Sequence, residues 1–146
     1  VATRQEEVIE LFNMLRRYSR MWKQEWSKDN PKELSLSQVQ TLDILVAEGP
    51  KSSTYLSQTL GVTSGGMTVI SDKLVKMGFV RRVGDRNDRR VVLLEITEAG
   101  EAALKELQEK RVALMEKMFA PLDAEEIHQM VVIYRKLLRT WETRDK

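Results

Sequence analysis

Cysteine is absent from the 146-residue chain, which excludes disulfides, thiol redox sensing and Cys-ligated zinc. Histidine occurs once, as His128, so there is no histidine dyad. A glycine-rich phosphate loop, a nucleophilic thiol and a cluster of metal-ligating side chains are missing as well, and neither an enzyme nor a bound cofactor or metal is expected. No apolar run approaches the ~20 residues of a membrane span. No charged-then-apolar leader opens the chain, and an intracellular, cytoplasmic protein without a membrane partner is expected. Repeats, low-complexity stretches and linkers are lacking too. A strong net charge is also missing: 24 Lys and Arg stand against 22 Asp and Glu.

What is present is 42% hydrophobic and 32% charged residues, a composition that suits one helix-rich globular domain. The charge is unevenly placed. Between Lys51 and Thr97 the basic residues are Lys51, Lys73, Lys76, Arg81, Arg82, Arg86, Arg89 and Arg90, against Asp72, Asp85, Asp88 and Glu95. That segment is about +4 and its two flanks together about −2, which suggests a local surface for a polyanion.

Val8, Leu11, Phe12, Leu15, Tyr18, Trp22 and Trp26 recur at helical spacing and predict a long first helix that ends before Asp29-Asn30-Pro31. Ser35 with Gln38 has the form of a capping box, and Leu34 with Val39 that of a hydrophobic staple, for a helix over about 36–47. Two short helices, roughly 53–60 and 64–77, join through Gly61-Val62-Thr63 as a helix-turn-helix. The β-favouring runs 79–83 and 91–96 flank the loop Gly84–Arg90 as a two-stranded hairpin. Thr97 caps a further helix that breaks at Pro121, and a last helix opens on Asp123 with Glu126. A helix-turn-helix followed directly by a hairpin is a winged helix. The fold class expected is therefore mainly α with a small β-hairpin: a winged helix-turn-helix over 34–97, between long terminal helices over 1–33 and 98–146.

In the second helix of the pair, Met67, Ile70, Leu74 and Met77 share the core side, while Gly65, Thr68, Val69, Asp72 and Lys76 share the other. Read as a DNA-inserting helix, it offers the hydroxyls of Ser64 and Thr68 to base edges or phosphates and Val69 to a thymine methyl. Gly65 and Gly66 cost on the order of 1 kcal/mol each relative to Ala, which makes sense if the backbone approaches something closely. The alternative is a poor first turn with a solvated face. The charged loop Asp85–Arg90 reads as a wing, with Arg86 and Arg90 first among its phosphate or minor-groove contacts and Asp88 orienting Arg90. Taken alone it reads better as an exposed hairpin tip kept soluble by charge, a reading that loses once the loop lies just after a helix-turn-helix.

The stretches "LSLSQVQTLDILVAEGP", "SSTYLSQTLGVTSGGMTVISDKLVKMGFVRR" and "DRNDRRVVLLEITEAG" resemble the MarR family of transcriptional regulators. The resemblance is detailed over 34–104, and the long flanking helices fit the family's layout. It implies a homodimeric winged-helix repressor on a near-palindromic double-stranded operator, with terminal helices interlocked across the dyad. Carried over by position, Thr63, Ser64, Gly65, Thr68, Val69 and Lys73 fall in the recognition helix and Arg86, Arg89 and Arg90 in the wing. The chain departs from the pattern at Val69-Ile70, where many relatives carry a polar pair, and in lacking the cysteine of peroxide-sensing relatives.

The apolar stripes of the terminal helices, Leu11, Phe12, Leu15, Val131, Tyr134, Leu137, Leu138 and Trp141, would leave a large wet patch on a monomer. An isologous dimer interface is expected there. The resemblance also implies a small aromatic or lipophilic acid as effector. Met14, Tyr18, Met21, Trp22 and Trp26, with Arg17 and Arg20 nearby, are its candidate lining; the simpler reading of the same stripe is core. A competing view of the whole chain is a winged-helix module that binds protein and not DNA, a view that Asp72 and Val69 on the recognition face favour.

Overall fold

The computed structural model describes residues 1–28 and 34–142. The elements run α1 (Arg4–Ser27), α2 (Leu36–Glu48), β1 (Lys51–Ser52), α3 (Ser53–Leu60), α4 (Ser64–Lys76), β2 (Val80–Gly84), β3 (Val92–Ile96), α5 (Glu98–Phe119) and α6 (Ala124–Glu142). The described chain divides into two compact units, Val1–Lys110 and Arg111–Lys146.

Local chemistry sets the helix starts. At α2 the Gln38 amide donates to Ser35 Oγ at 3.2 Å, and the Ser35 amide donates back to Gln38 Oε1 at 2.8 Å. The same reciprocal pair joins Asp123 and Glu126 ahead of α6, at 2.9 and 3.1 Å. Each box satisfies two donors that the helix leaves over. A third one, between Thr3 and Glu6, opens α1.

The first unit's core gathers Leu34, Leu42, Leu56, Met67, Leu74 and Leu107, each 0–1% exposed. Burying side chains of this size contributes roughly 1.5–3 kcal/mol apiece. Trp26, 2% exposed, belongs to this core, and its indole N–H donates to Leu34 O at 2.7 Å. Lys110 of α5 holds the end of α1: its ammonium donates to Trp26 O and Lys28 O, each at 2.9 Å, and lies 4.7 Å from the Trp26 ring centroid.

The sheet has three antiparallel strands in the order β1-β3-β2, one more than the two-stranded hairpin expected from sequence. Val80 faces Ile96 and Gly84 faces Val92, while Lys51 and Ser52 pair with Leu94 and Leu93. A two-residue strand has no alternation to read, and Ser52 also caps α3 through the Tyr55 amide. Thr97 ties the far end of β3 to the start of β2: its amide donates to Phe79 O at 3.0 Å and its hydroxyl to Gly78 O at 2.6 Å, while the hydroxyl accepts the Gly100 amide at 3.1 Å.

Candidate nucleic-acid interface

α3 ends on Gly61, whose φ of 69° lies in the left-handed region that a side chain disfavours. The Gly61 and Val62 amides donate to Gln58 O and Ser57 O, which turns the chain within three residues into α4. Thr63 then caps α4, its Oγ1 accepting the Gly66 amide at 3.0 Å. Met67 and Leu74 are fully buried, and Ser71 is 3% exposed, its hydroxyl donating to Met67 O at 2.8 Å. This anchoring orients the opposite face outward. Ser64, Gly65, Thr68, Asp72, Lys73 and Lys76 are exposed there, and Val69 is 70% exposed.

The wing follows from turn chemistry. The Asp85 amide donates to Val91 O and the Val91 amide to Asp88 O, each at 3.0 Å, closing the loop. Inside it, Asp85 Oδ1 accepts the Asn87 amide at 3.1 Å and Asp88 Oδ1 accepts the Arg90 amide at 3.0 Å. Both are side-chain turns of the kind aspartate favours. Asp88 also takes the Arg90 guanidinium in a two-point pair, Nε to Oδ1 at 3.2 Å and Nη2 to Oδ2 at 3.3 Å. The Arg90 side chain and amide together hold the Asp88 carboxyl below the ordinary aspartate range. Arg90 remains 91% exposed at its side chain. Arg86 and Arg89 are exposed too, with no acidic partner among the described residues.

Two further arginines, both exposed, are held by acidic partners. Arg81 Nε donates to Glu95 across the β2–β3 pair at 2.7 Å. Arg82 forms an ion pair with Asp72 of α4. Sequence alone did not reveal this second pair, because its members lie ten residues apart on different elements. It neutralises the one carboxylate on the α4 face, which leaves Val69 as what speaks for a protein-binding face.

The family model described as "MarR family" matches residues 34–92, which span α2, the helix-turn-helix and the whole wing loop. Over its winged-helix region the chain resembles the MarR family. A relative, the HTH-type transcriptional regulator YpoP of Bacillus subtilis, is 29% identical over 134 residues, covering 92% of this chain and 95% of its own. The transcriptional regulator BldR of Sulfolobus solfataricus superimposes with a TM-score of 0.81 at 29% identity, covering 95% of this chain and 99% of its own. A mutant of MarR from Escherichia coli, solved with operator DNA, shares the fold with a TM-score of 0.80 at 23% identity, over 94% of this chain and 99% of that one. The chain is accordingly a winged-helix protein whose relatives are transcriptional regulators and not enzymes.

The terminal helices carry the remaining expected residues. Leu11, Phe12 and Leu15 of α1 are exposed, as are Val131, Tyr134, Leu137, Leu138 and Trp141 of α6, a helix that has no buried residue. Of the candidate effector lining on α1, Met14, Arg17 and Met21 are exposed, while Tyr18 and Trp22 are half-buried. His128 is exposed on α6, and the described residues contain no group of three or more His, Cys, Asp or Glu side chains fit to hold a metal ion. No helix of the described chain is long and apolar enough to cross a membrane.

Proposed function

We propose that this chain is a MarR-family homodimeric repressor that binds a near-palindromic operator, with α4 in the major groove and the wing arginines Arg86, Arg89 and Arg90 on flanking phosphates or in the minor groove. The observation that carries the reading is the pairing state of the charges. Asp72 is neutralised by Arg82 and Asp88 by Arg90, so the outward face of α4 and the wing tip present small groups and cations to a polyanion. Thr63, Ser64, Gly65, Thr68, Val69 and Lys73 form the reading face.

The dimer reading is supported by the uncovered apolar faces of α1 and α6. A 19-residue helix with no buried residue is marginal in water by itself, and a second copy of the same faces gives a self-complementary cover. Two winged units related by a dyad would meet successive major grooves about 34 Å apart. An effector, of small aromatic or lipophilic and anionic character, would bind beside Tyr18 and Trp22 with Met14, Met21 and Arg17 at its edge. It would release DNA by favouring a dimer geometry whose recognition helices miss consecutive grooves.

The test is fluorescence anisotropy of the full chain on duplex from just upstream of its coding region, against scrambled duplex, over a salt series. Preferential binding with a steep loss of affinity as salt rises supports the reading. Equal, weak binding to both duplexes, together with failure to enrich any sequence from a random duplex library, would refute it.

A further inference from the structure

On the outward face of α4, Thr63, Thr68 and Asp72 each engage a partner within the protein. Thr63 Oγ1 accepts the Gly66 amide. The Thr68 hydroxyl donates its one hydrogen to Ser64 O at 3.0 Å, so toward a base edge it can only accept, beside its γ-methyl. Asp72, one turn further, is held in the ion pair with Arg82. Between these positions stand Gly65, where an added Cβ would meet nothing within 4 Å, and the 70% exposed isopropyl group of Val69.

Positions 65, 68, 69 and 72 fall on one helical face. Over its first two turns that face carries no arginine, lysine, asparagine or glutamine, the side chains that make two-point hydrogen bonds to guanine or adenine. It is instead small and apolar. In the major groove the apolar group on a base edge is the thymine 5-methyl, and aliphatic contact is how it is recognised. Gly65, which adds no side chain to this open face, lets the backbone come close enough for short side chains to touch it.

We infer that Val69 is the specificity-determining residue of the recognition helix and that it selects a thymine in each half-site by packing on the 5-methyl group. This deepens the DNA-binding reading above and rests on it. Hydrogen-bond readout is secondary on this face, and the selected base is distinguished by its methyl and not by its pairing edge.

The experiment uses the full chain and a random duplex library, followed by affinity measurement on the enriched duplex in which single thymines are replaced by deoxyuridine. That replacement deletes the methyl and keeps every hydrogen-bonding group. One thymine position in each half-site should cost on the order of tenfold in affinity when both are replaced. In Val69→Ala, checked for an unchanged circular dichroism melt, the ratio of thymine to deoxyuridine affinity at those positions should fall to about one. Affinity insensitive to deoxyuridine at every position overturns the inference, as does a ratio that survives in the Val69→Ala chain. Failure to enrich any sequence overturns the DNA-binding reading, and the inference with it.

Discussion

Gly100→Ala sets helix propensity against packing. Gly100 lies in the first turn of α5, and propensity alone would have alanine stabilise that helix by up to about 1 kcal/mol. The surroundings give the opposite sign. A Cβ at this position would stand 2.2 Å from Phe79 O, 2.8 Å from Ile96 Cγ1 and 3.0 Å from Phe79 C. The carbonyl cannot swing aside freely, because Phe79 O accepts the Thr97 amide. Nor can the helix start slide away, because the Thr97 hydroxyl bridges the Gly100 amide and Gly78 O. Relieving a contact with backbone oxygen requires a shift of about 1 Å, an overpacking cost of roughly 1–3 kcal/mol. Loosening the two Thr97 bonds adds about 1 kcal/mol each. After subtracting the propensity gain, the net loss is about 2–4 kcal/mol. For a chain of this size that corresponds to a fall in Tm of roughly 5–15 °C. Thermal and urea unfolding at one fixed protein concentration would measure it, since a dimer makes Tm concentration-dependent. A Gly100→Ala chain as stable as the parent would refute the close-approach argument.

The other glycine comparison has the opposite outcome. Gly65→Ala meets open space, so unfolding should show no loss and a gain of up to about 0.5 kcal/mol, while operator affinity falls by tenfold or more because the backbone can no longer approach. Unchanged affinity would remove Gly65 from the reading face. Arg90→Ala, at a side chain 91% exposed, should leave the melting curve in place. It should weaken operator binding by about tenfold and flatten the slope of log affinity against log salt by about 2 for a dimer with two wings; an unaltered slope would exclude the wing contact. Asp88 should titrate below the ordinary aspartate value of 3.8, so the ordering of Arg90 is fully present above that pH and lost as pH falls through the depressed value. NMR titration of the Asp88 carboxyl checks this, and a midpoint unchanged in Arg90→Ala would show that Arg90 is not the cause. Leu137→Glu places a charge in the apolar stripe of α6 and should yield monomers in sedimentation that bind DNA weakly; a persistent dimer would refute that interface.

Much of this architecture was legible in sequence for a local reason. Capping boxes join residues three apart, a helix turn needs one left-handed glycine, and core faces repeat every three or four residues. Ser35 with Gln38, Asp123 with Glu126, Gly61, and the stripe of Met67 and Leu74 are all signals of that kind. What escaped was tertiary or too short. β1 has two residues and no alternation, Arg82 meets Asp72 only because β2 passes beside α4, and the need for Gly100 comes from a carbonyl at position 79. The wing was legible as charge, but its two aspartates were only half understood. Both fold the loop through backbone amides before either one neutralises an arginine.

α1 shows why a hydrophobic stripe underdetermines function. Leu11, Leu15, Trp22 and Trp26 continue one another at helical spacing, yet Leu11 is 52% exposed and Trp26 2%. Periodicity belongs to a single helix, whereas burial belongs to the pair of surfaces that meet. The end of α1 finds Leu34 and Lys110 within its own unit, and its first three turns remain uncovered. On α6 the same comparison gives a whole stripe uncovered, with Leu137, Leu138 and Trp141 each more than half exposed. Exposing such a stripe costs about 25 cal/mol per Å² of apolar area, and the cost grows with each turn it continues. A long stripe that persists without internal cover is the observation on which the proposed homodimer rests.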